Sequence, residues 1–187
     1  MQAFAIRKAT GDDLGEILRL LKSAALWLEK KNVHYWQDWI RPPHDFVRWI
    51  AHGVENGEFH LVVGEGEVIG CYRLQWKDEV FWGEQTEKAG YLHSFTIDRK
   101  FSGRKIGESV LRTVEEACRE RSKKYLRLDC GSDVPALRKY YEGQGFLPVG
   151  ETVVRGEKLT LYEKALVPPG EPSGSSSGEV PAVSADR

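Results

Sequence analysis

Six consecutive residues, Ser102-Gly103-Arg104-Lys105-Ile106-Gly107, bring a hydroxyl, two cations and two glycines together shortly after an apolar run that ends at Ile97. Beyond Ile106 the apolar positions Val110, Leu111, Val114, Ala117 and Cys118 recur at helical spacing. A helix that starts here aims backbone N–H groups without internal partners at whatever lies in front of it. Gly103 and Gly107 permit a tight turn and close approach, and Arg104 and Lys105 add positive charge. That combination suits a phosphate or pyrophosphate. The same residues would also serve as an ordinary strand-to-helix turn with a solvated basic tip. Neither Gly-x-x-x-x-Gly-Lys-Ser/Thr nor Gly-x-Gly-x-x-Gly occurs at this turn, which argues against nucleoside triphosphates and dinucleotides.

Other residue types with chemical capacity are less organised. His34, His44, His52, His60 and His93 show no ligand spacing with Cys or Glu, so no metal is expected. Cys130, Asp129 and His93 could in principle build a cysteine hydrolase, but nothing local marks Cys130 as a nucleophile, and a strand-end cysteine usually packs in a core.

The elements that must position these residues are legible from periodicity. Phe4 to Lys8 reads as a strand, and Thr10-Gly11-Asp12-Asp13 supplies cap chemistry for a helix carrying Ile17, Leu18, Leu20, Leu21, Ala24, Ala25 and Leu28. Trp27, Tyr35, Trp36, Trp39, Phe46 and Trp49 make the next stretch unusually aromatic, divided by Pro42-Pro43, with a short helix from about Asp45 to a Gly57 cap. Gly64-Glu65-Gly66 joins Phe59–Val63 to Val68–Leu74 as a hairpin. A polar loop from Lys77 to Ala89, holding Trp82, precedes the strand Tyr91–Ile97. After the basic turn and its helix come a strand over Tyr125–Cys130, a helix over Val134–Gln144 opened by Pro135, and two strands, Leu147–Val154 and Lys158–Lys164, turning at Gly156. The order predicts an α/β (α+β) fold: one mixed sheet of about seven strands flanked by helices.

Composition bounds the function. The 187 residues suit one domain with a sizeable core, expected over 1–166. Residues 167–187 turn to Pro, Gly, Ser and Ala with few large apolar side chains, and are expected to be disordered. A formal charge of −1 provides no field for nucleic acid or anionic membrane. Cys71, Cys118 and Cys130 are widely spaced, no apolar run approaches a membrane span and no signal peptide opens the chain, so a soluble cytoplasmic protein is expected.

The basic turn resembles motif A of the GNAT N-acetyltransferase family, Arg/Gln-x-x-Gly-x-Gly/Ala, which follows the central strand and binds the pyrophosphate of acetyl-CoA. Gly107 matches its final glycine, Ser102 stands for Arg/Gln and Lys105 for the first Gly. Val134 to Phe146 resembles motif B, Asn-x-x-Ala-x-x-x-Tyr-x-x-x-Gly-Phe. Counting back from Gly145-Phe146 places the motif tyrosine at Tyr141, and Val134 replaces the Asn. Element order follows the family from about residue 3 to 164.

The resemblance implies a mostly antiparallel sheet with a splayed gap between the fourth and fifth strands, and acetyl-CoA as cosubstrate. Phe95, Thr96 and Ile97 would pair with the pantetheine arm, and Ser102, Gly103, Arg104, Lys105, Ile106 and Gly107 would hold the pyrophosphate. Lys105 offers its N–H to that group if its φ stays negative. Tyr141 is the candidate general acid for the departing thiolate. Tyr91 holds the place where some members carry a basic Glu, and His93 shares its strand face; either, or a water chain, would take the proton of the acceptor amine. Trp36, Trp39 and Trp82 are candidate walls of the acceptor pocket, suggesting a small, partly apolar amine. Family members often dimerise, so a homodimer is an open expectation. The departures at Ser102, Lys105 and Val134 leave a second option, a non-catalytic acyl-CoA-binding or regulatory module.

Overall fold

The computed structural model describes residues 4–166, so the expectation for the tail at 167–187 lies outside the described residues. Seven strands form one sheet in the order β1-β2-β3-β4-β5-β7-β6. They are β1 (Phe4–Lys8), β2 (Phe59–Gly64), β3 (Glu67–Gln75), β4 (Ala89–Ile97), β5 (Tyr125–Gly131), β6 (Leu147–Val154) and β7 (Glu157–Ala165). The helices are α1 (Leu14–Lys30), α2 (His44–Glu55), α3 (Glu79–Trp82), α4 (Ile106–Glu120) and α5 (Pro135–Gly143).

Alternation along the strands feeds two cores. On one face Phe59, Leu61 and Cys71 pack against Ile17, Leu20, Leu21 and Ala25 of α1 and Ile50 and Val54 of α2. On the other, Val62, Tyr72, Leu74, Leu126 and Leu128 pack against Val110, Leu111, Val114 and Cys118 of α4 and Tyr141 of α5. Each helix therefore buries one stripe on one sheet face, as the spacing of its apolar residues requires. The short α3 falls inside the stretch read from sequence as a polar loop. It is held by Asp78, whose carboxylate accepts from the Phe81 N–H at 3.3 Å, and by burial of Trp82.

Every strand pair is antiparallel except β4–β5. That parallel pair runs in register only from Ala89–Tyr125 to Leu92–Leu128. Beyond it β4 continues against β3 as far as Ile97, and β5 continues against β7 as far as Gly131. The two strands therefore part at the centre of the sheet. A bulge sits where they separate: Cys71 faces Thr96 and Arg73 faces His93, so Tyr72 alone opposes both Ser94 and Phe95. Ser94 takes a left-handed φ of 52° there. The extra residue bends β4 away from its parallel neighbour.

Candidate active site

The gap between the carboxyl ends of β4 and β5 opens into a cavity of about 1030 Å³. Its walls come from the end of β4, the basic turn, the start of α4, the helix α5, the aromatic stretch after α1 and the hairpin of β6 and β7. Strand separation exposes backbone that a continuous sheet would have consumed, and makes the cleft without any insertion.

At one end stands the basic turn. Phe101 is buried and anchors it, Gly103 turns the chain at φ 80°, and α4 starts at Ile106. Ser102, Gly103, Lys105, Ile106 and Gly107 all line the cavity. At Gly107 a Cβ would lie 2.8 Å from the Tyr140 hydroxyl, so a side chain here would push the tip of Tyr140 off the first turn of α4. Lys105 adopts φ 57°, the left-handed conformation that glycine takes without cost, so its amide is not oriented as a negative φ would orient it. Arg104 departs from the sequence expectation. It is absent from the cavity wall, and its guanidinium pairs with Glu65 of the β2–β3 hairpin at 2.8 Å and stacks over Phe101 at 5.0 Å. Arg99, which the sequence reading did not single out, lines the cavity instead, 3.8 Å above the Trp27 ring.

The floor is polar. Nε2 of His93 lies 3.0 Å from Asp78 Oδ2, and Nδ1 lies 3.5 Å from Asp129 Oδ1. The Asp129 side chain is 8% exposed, and its Oδ1 has no hydrogen-bond partner among the described residues. Desolvation drives its carboxyl up to about 6; His93 opposes the rise, and the charges of Asp78 and Glu157 add to it. An imidazole whose Nε2–H is committed to Asp78 presents Nδ1 to Asp129, so the pair can take up one proton between them. Asp129 enters the sequence reading only beside Cys130 and His93 as a hydrolase option, and Asp78 lies in the stretch read as a polar loop, so no spacing marks either as a partner of His93.

Tyr141 also lines the cavity, only 8% exposed, its ring against Phe146 and Tyr162. Burial holds its phenol well above the ordinary range, with smaller contributions from Cys130, Tyr140 and Asp129. Tyr140, next along α5, reaches the cavity too, against the start of α4, so adjacent tyrosines serve different ends of one space. Burial pushes the Cys130 thiol up to about 12, which disfavours the thiolate that a nucleophile needs.

Besides Arg104, two expected site residues lie elsewhere. Tyr91 does not line the cavity; its hydroxyl accepts from Arg127 Nη1 at 3.1 Å. Trp82 packs on Tyr91 with ring centroids 5.9 Å apart and beneath the Arg127 guanidinium at 4.9 Å. Both support the Arg127–Glu163 pair, 2.7 Å apart, in which Arg127 is buried and Glu163 half-buried. His93 shares the strand face of Tyr91, but lies beyond the point where β5 stops covering it.

Phe95, Thr96 and Ile97 line the cavity along β4, with the Thr96 hydroxyl buried and unpartnered among the described residues. Trp36 and Trp39 form part of the opposite wall, joined by Tyr35, which stacks on Trp36 at 5.8 Å. Among the described residues, no group of three or more His, Cys, Asp or Glu is arranged to hold a metal ion, and no helix is long and apolar enough to cross a membrane.

Comparison with known proteins agrees with this geometry. The family model for the acetyltransferase (GNAT) family matches residues 18–146. An N-acetyltransferase of Bacillus subtilis (strain 168), YesJ, itself uncharacterized, is 28% identical over 146 residues, covering 74% of this chain and 78% of that protein. The crystal structure of a GNAT-family acetyltransferase from Listeria monocytogenes 4b F2365 superposes with a TM-score of 0.71 at 28% identity, covering 87% of this chain and 95% of that one. The PaiA N-acetyltransferase from Thermoplasma acidophilum, solved in complex with coenzyme A, shares the fold at a TM-score of 0.64 and 17% identity, covering 87% and 99%. A seven-stranded sheet parted at its one parallel pair, and a family match that spans both sides of the parting, lead to one conclusion: the chain belongs to the GNAT family of acetyltransferases.

Proposed function

We propose that this acetyltransferase moves an acetyl group from acetyl-CoA to the primary amine of a small molecule, by direct attack with both substrates bound in the cavity. The observation that carries this reading is the convergence of Tyr141 and the His93–Asp129 pair on one cleft whose far end is the glycine-bearing start of α4. The Thermoplasma protein with the same fold was solved with coenzyme A.

The residues present fit such a cosubstrate. Close packing at Gly107 keeps the first turn of α4 free of a side chain there, and its N–H groups suit a pyrophosphate, with Lys105 and Arg99 as the nearby cations. The unpaired edge of β4 at Phe95 to Ile97 suits an amide-bearing arm. An ammonium entering from the aromatic side yields its proton to the His93–Asp129 pair. The neutral nitrogen then attacks the thioester carbonyl carbon, the carbon–sulfur bond breaks as the Tyr141 phenol protonates the departing thiolate, and the second proton shed by the acylated nitrogen restores the phenol. A phenol held above its ordinary range keeps its proton until that moment. Cys71, Cys118 and Cys130 are buried free thiols, in keeping with a reducing cytoplasm.

Calorimetric titration with acetyl-CoA and desulfo-CoA, followed by free-thiol release on a panel of amines, tests the proposal. Binding and amine-dependent thiol release are expected. Absence of binding would overturn it, and binding without release on any amine would favour the non-catalytic module.

A further inference from the structure

Charged groups line the cavity on both sides. At the α4 end Arg99 and Lys105 stand with two carboxylates, Glu108 and Asp98, the latter 3.6 Å from Arg19. Around the aromatic wall the carboxylates are Asp129 in the floor, Asp38 on the turn Gln37–Ile40, and Glu157 at the start of β7. The cations on this wall are Lys31, exposed at the end of α1, and Arg155, which Asp45 already holds at 2.6 Å.

Asp38 and Glu157 make no hydrogen bond or ion pair among the described residues, although acids close by in the chain do: Asp45 pairs with Arg155 and Glu151 with Lys158. The two carboxylates also act on each other. The Glu157 carboxyl is held above its usual range first by desolvation and then by the charge of Asp38. Both residues are exposed, so water screens much of their repulsion, and a cation between them would remove the remainder. Tyr35 is buried on the same cavity wall, its phenol raised first by desolvation and then by charges that include Asp129 and Glu157. Trp36 and Trp39 flank Asp38 in sequence and line the same space, and aromatic faces favour a cation. Asp129 supplies the independent observation: a buried carboxylate oxygen on the cavity wall with no hydrogen-bond partner of its own.

We infer that the acceptor is a dication, an aliphatic diamine or an amine bearing a second ammonium group. Its reacting nitrogen goes to Asp129, its second cation goes to Asp38 and Glu157, and its aliphatic segment lies along Tyr35, Trp36 and Trp39. This assignment rests on the acetyl-transfer reading and narrows it to a substrate class. An uncharged tail of equal length would fill the aromatic wall but leave two carboxylates to water.

The test is calorimetric binding to protein saturated with desulfo-CoA, comparing 1,4-diaminobutane with pentylamine and 1,6-diaminohexane with heptylamine, each pair matched in heavy atoms. At one length or both, the diamine is expected to bind about tenfold more tightly, the size of a partly exposed ion-pair contribution summed over two carboxylates. The double variant Asp38→Asn, Glu157→Gln is expected to remove most of that preference. Its retained affinity for acetyl-CoA shows that it is folded. Equal affinity for diamine and monoamine at both lengths, no binding of either, or a preference unchanged in the double variant would each overturn the assignment. Thiol release is scored separately. Tight diamine binding with no release supports the charge assignment and sinks acetyl transfer; release from monoamine and diamine with equal affinities does the reverse.

Discussion

Nδ1 of His93 lies 3.5 Å from Oδ1 of Asp129, while Nε2 of the same ring is hydrogen-bonded to Asp78 at 3.0 Å. The ring is fixed by the second contact, and the first is left open to a proton. No other described group completes the hydrogen bonding of Asp129 Oδ1. A folded protein that leaves a carboxylate oxygen buried and unpartnered carries a stability cost, and the cost makes sense at a place where a substrate group completes the set.

That cost is measurable. The Asp129 carboxyl has an ordinary value of 3.8 and is raised to about 6 in the fold. Between those values the folded state holds a proton that the unfolded state has released, so stability falls as pH rises through this window. Above it the charged buried group costs about 3 kcal/mol. Asp129→Asn is therefore expected to melt higher than the parent at pH 8, with the gain shrinking as pH falls to about 4, while acetyl transfer drops. Melting curves across pH check this; a variant less stable than the parent at pH 8 would refute the sign.

Tyr141→Phe keeps a ring against Phe146 and Tyr162 and removes only the hydroxyl. Expected loss in kcat is about a hundredfold, the low end of general acid catalysis, with acetyl-CoA affinity within about twofold of the parent. Steady-state rates and calorimetry on the same preparation separate the two. Since the phenol is raised above its ordinary range, the parent should show no falling limb from this group below about pH 10. An unchanged kcat would remove Tyr141 from the chemistry.

Tyr91→Phe should behave in the opposite way. Its hydroxyl serves Arg127, not the cavity, so losing that 3.1 Å hydrogen bond should cost about 1 kcal/mol of stability and leave kcat near the parent value. Arg127→Ala, which strands Glu163, should cost about 3 kcal/mol. Urea unfolding of both variants measures the costs. A large fall in kcat for Tyr91→Phe would return it to the proton path.

Much of this arrangement could be read from the chain because it rests on period and local spacing. Alternation along β2 and β3, and the helical stripe Val110, Leu111, Val114 and Cys118, placed the sheet and its helices. The spacing back from Gly145-Phe146 placed Tyr141, which does reach the cavity. What spacing could not supply was pairing across the fold. Arg104 meets Glu65 from 39 positions away, and Arg127 meets Tyr91 from 36. Both choices depend on which hairpin or strand happens to lie alongside. His93 and Tyr91 share a strand face, and only the point at which β5 departs decides that one sees the cavity and the other does not.

Lys105 poses the sharpest test of the basic turn. Its φ of 57° would be free for glycine and costs an L side chain about 1 kcal/mol or more. A lysine held there, on the wall of the cavity, exchanges stability for a cation beside the first turn of α4. Lys105→Gly relieves the backbone but adds entropy to the unfolded chain, so the net gain in stability should be about 0.5 kcal/mol. Lys105→Ala keeps the Cβ and so keeps the strain. Both variants lose the charge, and both should bind acetyl-CoA several-fold more weakly in low salt, with the difference fading as salt screens it. Urea unfolding should therefore rank Gly above Ala, while calorimetry should weaken both relative to the parent. If Gly proves no more stable than Ala, the left-handed turn at 105 is not what the sequence strains to hold. If acetyl-CoA affinity ignores both changes, the charge at Lys105 has no part in binding the pyrophosphate.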